Sequence, residues 1–287
     1  MPAPAPLTSV PPPSMIERMT LVLDAFDAAS PRLTLPEICA RTGLPRSTTH
    51  RILDQLVRLR WLEHSAGSYG LGMRLLELGG LAVANNALRE VTAPLLYALH
   101  QRTGAPCSLA VLDRRDVVYV DRVGGGPAAK LVTRVGGRAP AHATAAGKAM
   151  LAWADEAMLS ALYRERLPSH TPRTITSLEL LRQDLAQVRG RGGVAYEREE
   201  SVPGLSSVAV ALRGPGRALA ALELSGATRS VHLERLALHV QEAAREAGRA
   251  LFPPQGRRRP RAVPAPSPWP PGALDRLVQG IGGDYWL

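Results

Sequence analysis

A helix start, a glycine stop and a second helix start fall within residues 34–56, and no other stretch limits the fold of this chain so tightly. Thr34-Leu-Pro-Glu37 sets a hydroxyl three positions ahead of a carboxylate, the pattern that satisfies the free N–H groups at a helix beginning, with Pro36 tolerated in the first turn. It predicts a short helix from Leu35 that turns Leu35, Ile38 and Cys39 inward. Gly43 ends that helix because it accepts the left-handed conformation, Leu44 follows as a buried spacer, and Pro45 opens the next helix. Wound at about 100° per residue, this second helix places Thr48, Thr49, Ile52, Leu53, Leu56 and Leu59 on one side. Arg46, Ser47, His50, Arg51, Asp54 and Arg58 fall on the other. Taken alone, residues 45–56 also describe an ordinary amphipathic helix with a wet face. The cap and the glycine upstream make the stretch a helix-turn-helix, whose second helix lies in the major groove of DNA.

The candidate DNA contacts on that helix are Arg46, Ser47, Thr48, His50 and Arg51. Arginine can make two parallel bonds to guanine, and hydroxyl and imidazole groups bond base edges or phosphates. Ahead of the motif, Met15 to Ala29 reads as a first helix with Ile16, Met19, Leu23 and Phe26 on one face. Behind it, residues 61–69 alternate around Ser-Ala-Gly-Ser and read as a β-hairpin. Three helices and this wing make a winged helix-turn-helix. The segment Trp61 to Met73 holds no Lys or Arg, so Ser65, Ser68, Tyr69 and His64 are the side chains left to meet phosphate there.

Next, Leu71 to Glu90 reads as a linker helix, with Leu75, Leu76, Leu78, Leu81, Val83 and Leu88 apolar around much of its circumference. Such a helix either packs on a second copy or is buried in its own chain. Further on, the pattern becomes mixed. Ala93 to Arg102 reads as a helix, and Cys107 to Leu112, Val117 to Val123 and Lys130 to Val135 as strands. Ala143 to Trp153 and Leu178 to Arg189 read as helices, and Val194 to Glu197, Ser206 to Leu212 and Arg217 to Ser225 as strands. A last helix runs from about Arg229 to Phe252. Hairpin-linked strands with intervening helices predict an α+β domain around an antiparallel sheet. Two strand faces carry small side chains and a few polar groups: Ser207, Ala209 and Ala211 on one, Leu219, Ala221, Glu223 and Ser225 on the other. They leave room for a small ligand, or for a helix packed closely on small side chains.

The stretches LTLPEICARTGLPRSTTHRILDQL, GSYGLGMRLLELG, AHATAAGKAMLA and GVAYEREESVPGLSSVAVAL follow one another across residues 15 to 251. In their order and spacing the chain resembles the IclR family of bacterial transcription regulators. The resemblance implies a GAF-like effector-binding domain after the linker, pairing through the DNA-binding domain and linker, and homodimers or homotetramers on a palindromic operator. It also implies that a small-molecule effector is held by His142, Ala145 and Ala146 at the start of AHATAAGKAMLA. Glu197 would supply an acidic position, Ser207 a position that is often cysteine in the family, and Glu223 and Ser225 two positions on the late strand. From the residues alone, His142 is equally well a hydrogen-bonded structural histidine. Some relatives that bind small carboxylates have a hydroxyl residue where Glu223 stands. Two buried carboxylates would repel an anionic ligand, so the expected effector is neutral, hydroxylated or cationic unless Arg134 or Arg138 compensates.

Competing chemistry is thin. Gly147-Lys148 lacks the first glycine and the hydroxyl residue of a phosphate loop, since His142 and Ala149 occupy those positions. His232 and His239 lie seven apart rather than at chelating spacing, and no nucleophile elbow surrounds Ser206 or Ser207. Cys39 and Cys107 read as small buried hydrophobes. No catalytic residue, metal or cofactor is expected. The alternatives are an enzyme domain fused to a DNA-binding module, or a second domain that serves only oligomerisation. A formal charge of +10 favours an anionic partner, yet residues 15–70 hold seven Arg against six acidic residues, so much of the excess lies elsewhere, including Arg257-Arg-Arg-Pro-Arg261. The MPAPAPLTSVPPPS start resembles no signal peptide and no apolar run is long enough for a membrane span, which predicts a cytoplasmic protein. The expected organisation is a Pro-rich start (1–14), the winged domain (15–71), the linker (72–90), the effector domain (91–252) and a Pro/Arg-rich extension (253–287).

Overall fold

A computed structural model of the chain describes residues 13–84, 87–124, 134–163, 166–214 and 217–252. The expected strand residues 130–133, the proline-rich start up to residue 12 and the extension from 253 lie outside them. Helix α1 (Met15–Asp24) begins with a reciprocal cap, Ser14 N–H donating to Glu17 Oε2 at 2.6 Å and Glu17 N–H to Ser14 Oγ at 3.3 Å. It stops five residues before Ala29, because the Asp27 carboxylate accepts the Ala29 and Ser30 N–H groups at 2.8 and 2.7 Å and holds a turn there. Strand β1 (Arg32–Leu33) leads into α2 (Leu35–Thr42), which ends at Gly43 with φ +68°. Helix α3 (Arg46–Arg58) follows, Pro45 serving as its cap with a carbonyl that accepts Thr49 N–H at 2.9 Å.

Strands β2 (Leu62–Ser65) and β3 (Ser68–Leu71) form the expected hairpin, and β1 joins β3 on the other side. Val22, Ile38, Ile52, Leu53, Leu56 and Leu62 fill the core beneath. Leu59 corrects the helical-wheel reading: it is 57% exposed, because α3 ends at Arg58 and the chain reverses at Arg60 (φ 65°).

The linker reading needs revision. Helix α4 (Met73–Ala84) buries none of its described residues, and α5 (Ala87–Thr103) runs straight through Pro94. Residues 93–102 are therefore the later part of a longer helix rather than a helix of their own.

The second half is an antiparallel six-stranded sheet of order β6-β5-β4-β9-β8-β7. Its strands are β4 (Cys107–Asp113), β5 (Asp116–Val123), β6 (Arg138–Pro140), β7 (Val194–Arg198), β8 (Leu205–Gly214) and β9 (Arg217–Ala227). The described part of the expected third strand, Arg134 and Val135, is loop and turn, and β6 takes its place. A 3-10 turn (Ala141–Ala143) precedes α6 (Ala145–Leu151), followed by α7 (Glu156–Leu162) and α8 (Leu178–Gly190). The final helix α9 (Leu233–Leu251) starts later than expected because a turn closes at Ser230 N–H to Ala227 O, 3.0 Å.

One sheet face packs Leu109, Val208, Val210, Leu212, Leu222 and Leu224 against α5 and α9. The opposite face carries Ala110, Ala209, Ala211 and Ala221 against α6, and there the helix lies very close. A Cβ on Gly147 would stand 2.1 Å from the Ala141 carbonyl oxygen, so only glycine fits. The small-residue face is thus partly a bed for α6. Its polar members are a separate matter.

Candidate functional site

On α3 the side chains of Arg46, Ser47, His50 and Arg51 are exposed, Thr48 is half-buried at the edge of that face, and Thr49 is buried. Thr49 Oγ1 donates back to Pro45 O at 3.1 Å. His50 Nδ1 lies 3.0 Å from Asp54 Oδ2, one turn on, which orients the ring along the helix surface. Arg46, Arg51 and Arg58 enter no ion pair among the described residues. Arg41, by contrast, is consumed by structure, reaching Ala25 O at 2.7 Å, Asp27 at 3.0 Å and Ser30 at 2.7 Å.

The wing differs from expectation in two ways. Tyr69 is placed with its ring in the core, 6% exposed and stacked on His64 at 4.4 Å, because alternation along β3 turns it toward Leu33. It supports the wing instead of standing free. The wing also has a cation that its own sequence lacks: β1 brings Arg32 alongside, with Nε donating to Ser68 Oγ at 3.1 Å and Nη1 2.7 Å from Glu63. Ser68 is therefore engaged internally, while Ser65 is exposed at the tip.

In the sheet, register unites most of the candidate effector residues. Glu197 pairs with Ser207, Ser207 with Ser225, and Glu223 with Ser108. Glu197 Oε1 accepts the backbone N–H groups of Glu200 (2.6 Å) and Ser201 (3.1 Å), and its Oε2 accepts from Ser207 Oγ at 3.2 Å. Burial nonetheless pushes its carboxyl up to about 7; those backbone bonds pull the other way, and the charges of Glu223 and Glu200 add to the rise. Burial also raises Glu223, opposed by the hydroxyls of Ser207 and Tyr119 and the backbone N–H of Ala146. Glu223 Oε2 has no hydrogen-bond partner among the described residues. A protonated Glu223 can donate to an acceptor oxygen; an ionised one cannot.

His142 lies apart from this row in its bonding. Its Nε2 donates to Pro168 O at 3.0 Å, its ring touches Tyr163 and His170, and burial lowers its pKa, all of which fit a structural histidine. Ala145 and Ala146 form the first turn of α6 over Glu223. Ser225 is buried, its N–H bonded to Pro106 O at 3.0 Å; it also borders an open groove of about 500 Å³ with Arg102, Ser230, His232 and Arg235. Neither arginine considered as a compensating cation does that work. Arg138 pairs with Asp113 (2.8 Å) and Asp116 (3.2 Å) at the sheet edge, and Arg134 borders a different groove beside Arg32 and Glu63.

Four residues escaped the sequence reading. Lys148, which lies in the AHATAAGKAMLA stretch but was not singled out there as a contact, is buried with Nζ 2.7 Å from Glu200 and 3.0 Å from Asp184. Since the Glu200 N–H holds Glu197, this ion triad braces the Glu197 loop. Tyr119 is 1% exposed, its hydroxyl shared with Glu223 and pushed upward by burial. Ser108 and Arg122 complete the row through a β-bulge. Leu109 faces Asp121 while Ala110 faces Tyr119, so Val120 is the extra residue and Tyr119 and Arg122 share a face. Uninterrupted alternation puts them on opposite faces, and only the register reveals otherwise.

Among the described residues no group of three or more His, Cys, Asp or Glu side chains could hold a metal ion, and no helix is long and apolar enough to cross a membrane. Burial pushes the Cys107 thiol up to about 12, far from a reactive thiolate at neutral pH.

The family model for the IclR helix-turn-helix domain matches residues 15–66, and that for the bacterial transcriptional regulator IclR C-terminal domain matches residues 80–251. The chain is similar to the HTH-type transcriptional regulator XynR of Escherichia coli (strain K12), 37% identical over 240 residues, covering 82% of this chain and 94% of the relative. It is 31% identical over 200 residues to the transcriptional repressor IclR of the same organism, covering 68% of this chain and 73% of that one. A crystal structure of an IclR homolog complexed with 4-hydroxybenzoate, from Microbacterium hydrocarbonoxydans, superposes with a TM-score of 0.73 at 31% identity, over 83% of this chain and 99% of that chain.

Proposed function

The chain belongs to the IclR family of bacterial transcription regulators, and on that premise we propose that it represses transcription from a palindromic operator as a homo-oligomer, under control of a small organic effector held on the α6 face of its sheet. The observation that carries the reading is the exposed face of α3, where Arg46 and Arg51 project from a well-packed winged helix-turn-helix with no ion pair among the described residues. The relatives named above are regulators rather than enzymes, and the homolog whose title records 4-hydroxybenzoate supports a sensory role for this second domain.

Oligomerisation is supported by α4, whose Met73, Leu76, Leu78 and Leu81 stand exposed on a helix that buries none of its described side chains. One recognition helix contacts few base pairs, and two-fold pairing doubles the site read. In this mechanism the effector alters the spacing of the paired recognition helices through α4, coupling pocket to operator. The test is a footprint of the purified protein on the DNA flanking its own gene, repeated with candidate metabolites. A protected two-fold site whose occupancy changes with one metabolite is the expected result. Protection that no metabolite alters would favour a second domain used for assembly alone.

A further inference from the structure

Resting on the reading of the α6 face as the effector site, we propose that Arg122 forms an anion subsite within it. The effector is then an organic carboxylate whose other end carries a hydroxyl or carbonyl oxygen for Glu223 and Glu197.

The bulge at Val120 aims the Arg122 side chain onto the same sheet face as Tyr119. Register then sets Arg122, Ser108 and Glu223 in one row across β5, β4 and β9. With neighbouring strands about 4.8 Å apart, the two ends of that row stand roughly 10 Å apart at the backbone. Ser108, 1% exposed, lies between them.

Although the Arg122 side chain is only partly buried, its Nε and Nη2 are closed off from solvent and have no hydrogen-bond partner among the described residues. These two nitrogens are the parallel edge of the guanidinium, the edge that binds a carboxylate through two bonds at once. Other arginines near the sheet have their acids: Arg138 has Asp113 and Asp116, Arg198 has Glu234 at 2.8 Å, and Arg89 has Asp121 at 3.1 Å. Asp121, adjacent to Arg122 in sequence, faces the opposite side of the sheet with Leu109. A buried donor pair without an acceptor is costly to keep. At the other end of the row, Glu223 Oε2 is also buried and unpartnered. An anion with an oxygen at its far end satisfies both, and Arg122 is the compensating cation that neither Arg134 nor Arg138 supplies.

The experiment is thermal unfolding and calorimetric titration of the full chain. The ligands are glycolate, 4-hydroxybutyrate, 6-hydroxyhexanoate and trans-4-hydroxycyclohexanecarboxylate, each beside its primary amide. At one or more lengths the acid is expected to bind at least tenfold more tightly than its amide. Arg122→Met should keep a ligand-free Tm no lower than the parent and lose that preference, while Arg122→Lys, which keeps charge without the fork, should retain part of it. The proposal is overturned if no acid exceeds its amide at any length, or if the preference survives in Arg122→Met. Acid and amide binding equally, with both lost in Glu223→Ala and Ser207→Val, would leave the effector site standing and remove the anion subsite. Binding indifferent to all three positions would remove both.

Discussion

At the scale of single residues, the α6 face is a place where burial sets protonation. Glu197 titrates near 7 in the folded protein against an ordinary value of 4.5, so the folded form keeps a proton that the unfolded chain gives up. The sign follows directly. Its contribution is neutral below the ordinary carboxylate range, turns unfavourable as pH rises toward 7, and stays so above, reaching on the order of 3 kcal/mol. Glu197→Gln should therefore raise the denaturant midpoint at pH 8 and change it little at pH 4; an equal change at both pH values would contradict the assignment. Lys148 works the other way. Lys148→Met strands Asp184 and Glu200 without their cation and is expected to cost about 3 kcal/mol, read as a lowered urea midpoint at unchanged slope. At this scale the sequence was least legible around Arg122, because an alternation argument has no means of seeing one extra residue in a strand.

At the scale of elements, the boundaries with local chemical causes were readable and those set by distant contacts were not. Thr34, Glu37 and Gly43 announce α2 because a cap and a left-handed turn are decided within a few residues. Gly43→Ala forces a side chain into the left-handed region at φ +68° and should cost about 1 kcal/mol, measured as lost thermal stability of the folded chain. By contrast, Ala93 to Arg102 read as a helix of its own, yet α5 begins at Ala87 and continues through Pro94, and Thr92, Leu96 and Leu99 are buried along its length. Packing on the sheet overrides a local breaker there. The Asp27 turn is local, but Met19, Leu23 and Phe26 carried the apolar spacing past the true end of α1. Helix α4 supplies the prediction proper to an element: Leu76→Ser with Leu81→Ser removes two exposed leucines and should shift the chain toward monomer in sedimentation. An unchanged assembly would place the interface elsewhere.

At the scale of the whole molecule, two kinds of structural information meet. The winged helix-turn-helix is built from neighbours in sequence, which is why residues 34–56 disclosed it and with it the reading of DNA. The effector domain joins β4 to β9, strands separated by about a hundred positions, and this pairing sets Ser108 beside Glu223. Face patterns pointed to Ser207, Glu223 and Ser225, and the family resemblance to Glu197, but the closeness of α6, the bracing Lys148 and the row ending in Arg122 required the fold. If the outward side of α3 reads DNA as proposed, the affinity of the full chain for its footprinted operator, by gel shift at fixed salt, must register the loss of its arginines. Arg46→Ala and Arg51→Ala should each weaken specific binding by about 1 to 3 kcal/mol, roughly five- to 150-fold, while leaving thermal stability intact. Undiminished affinity in both variants would contradict the claim.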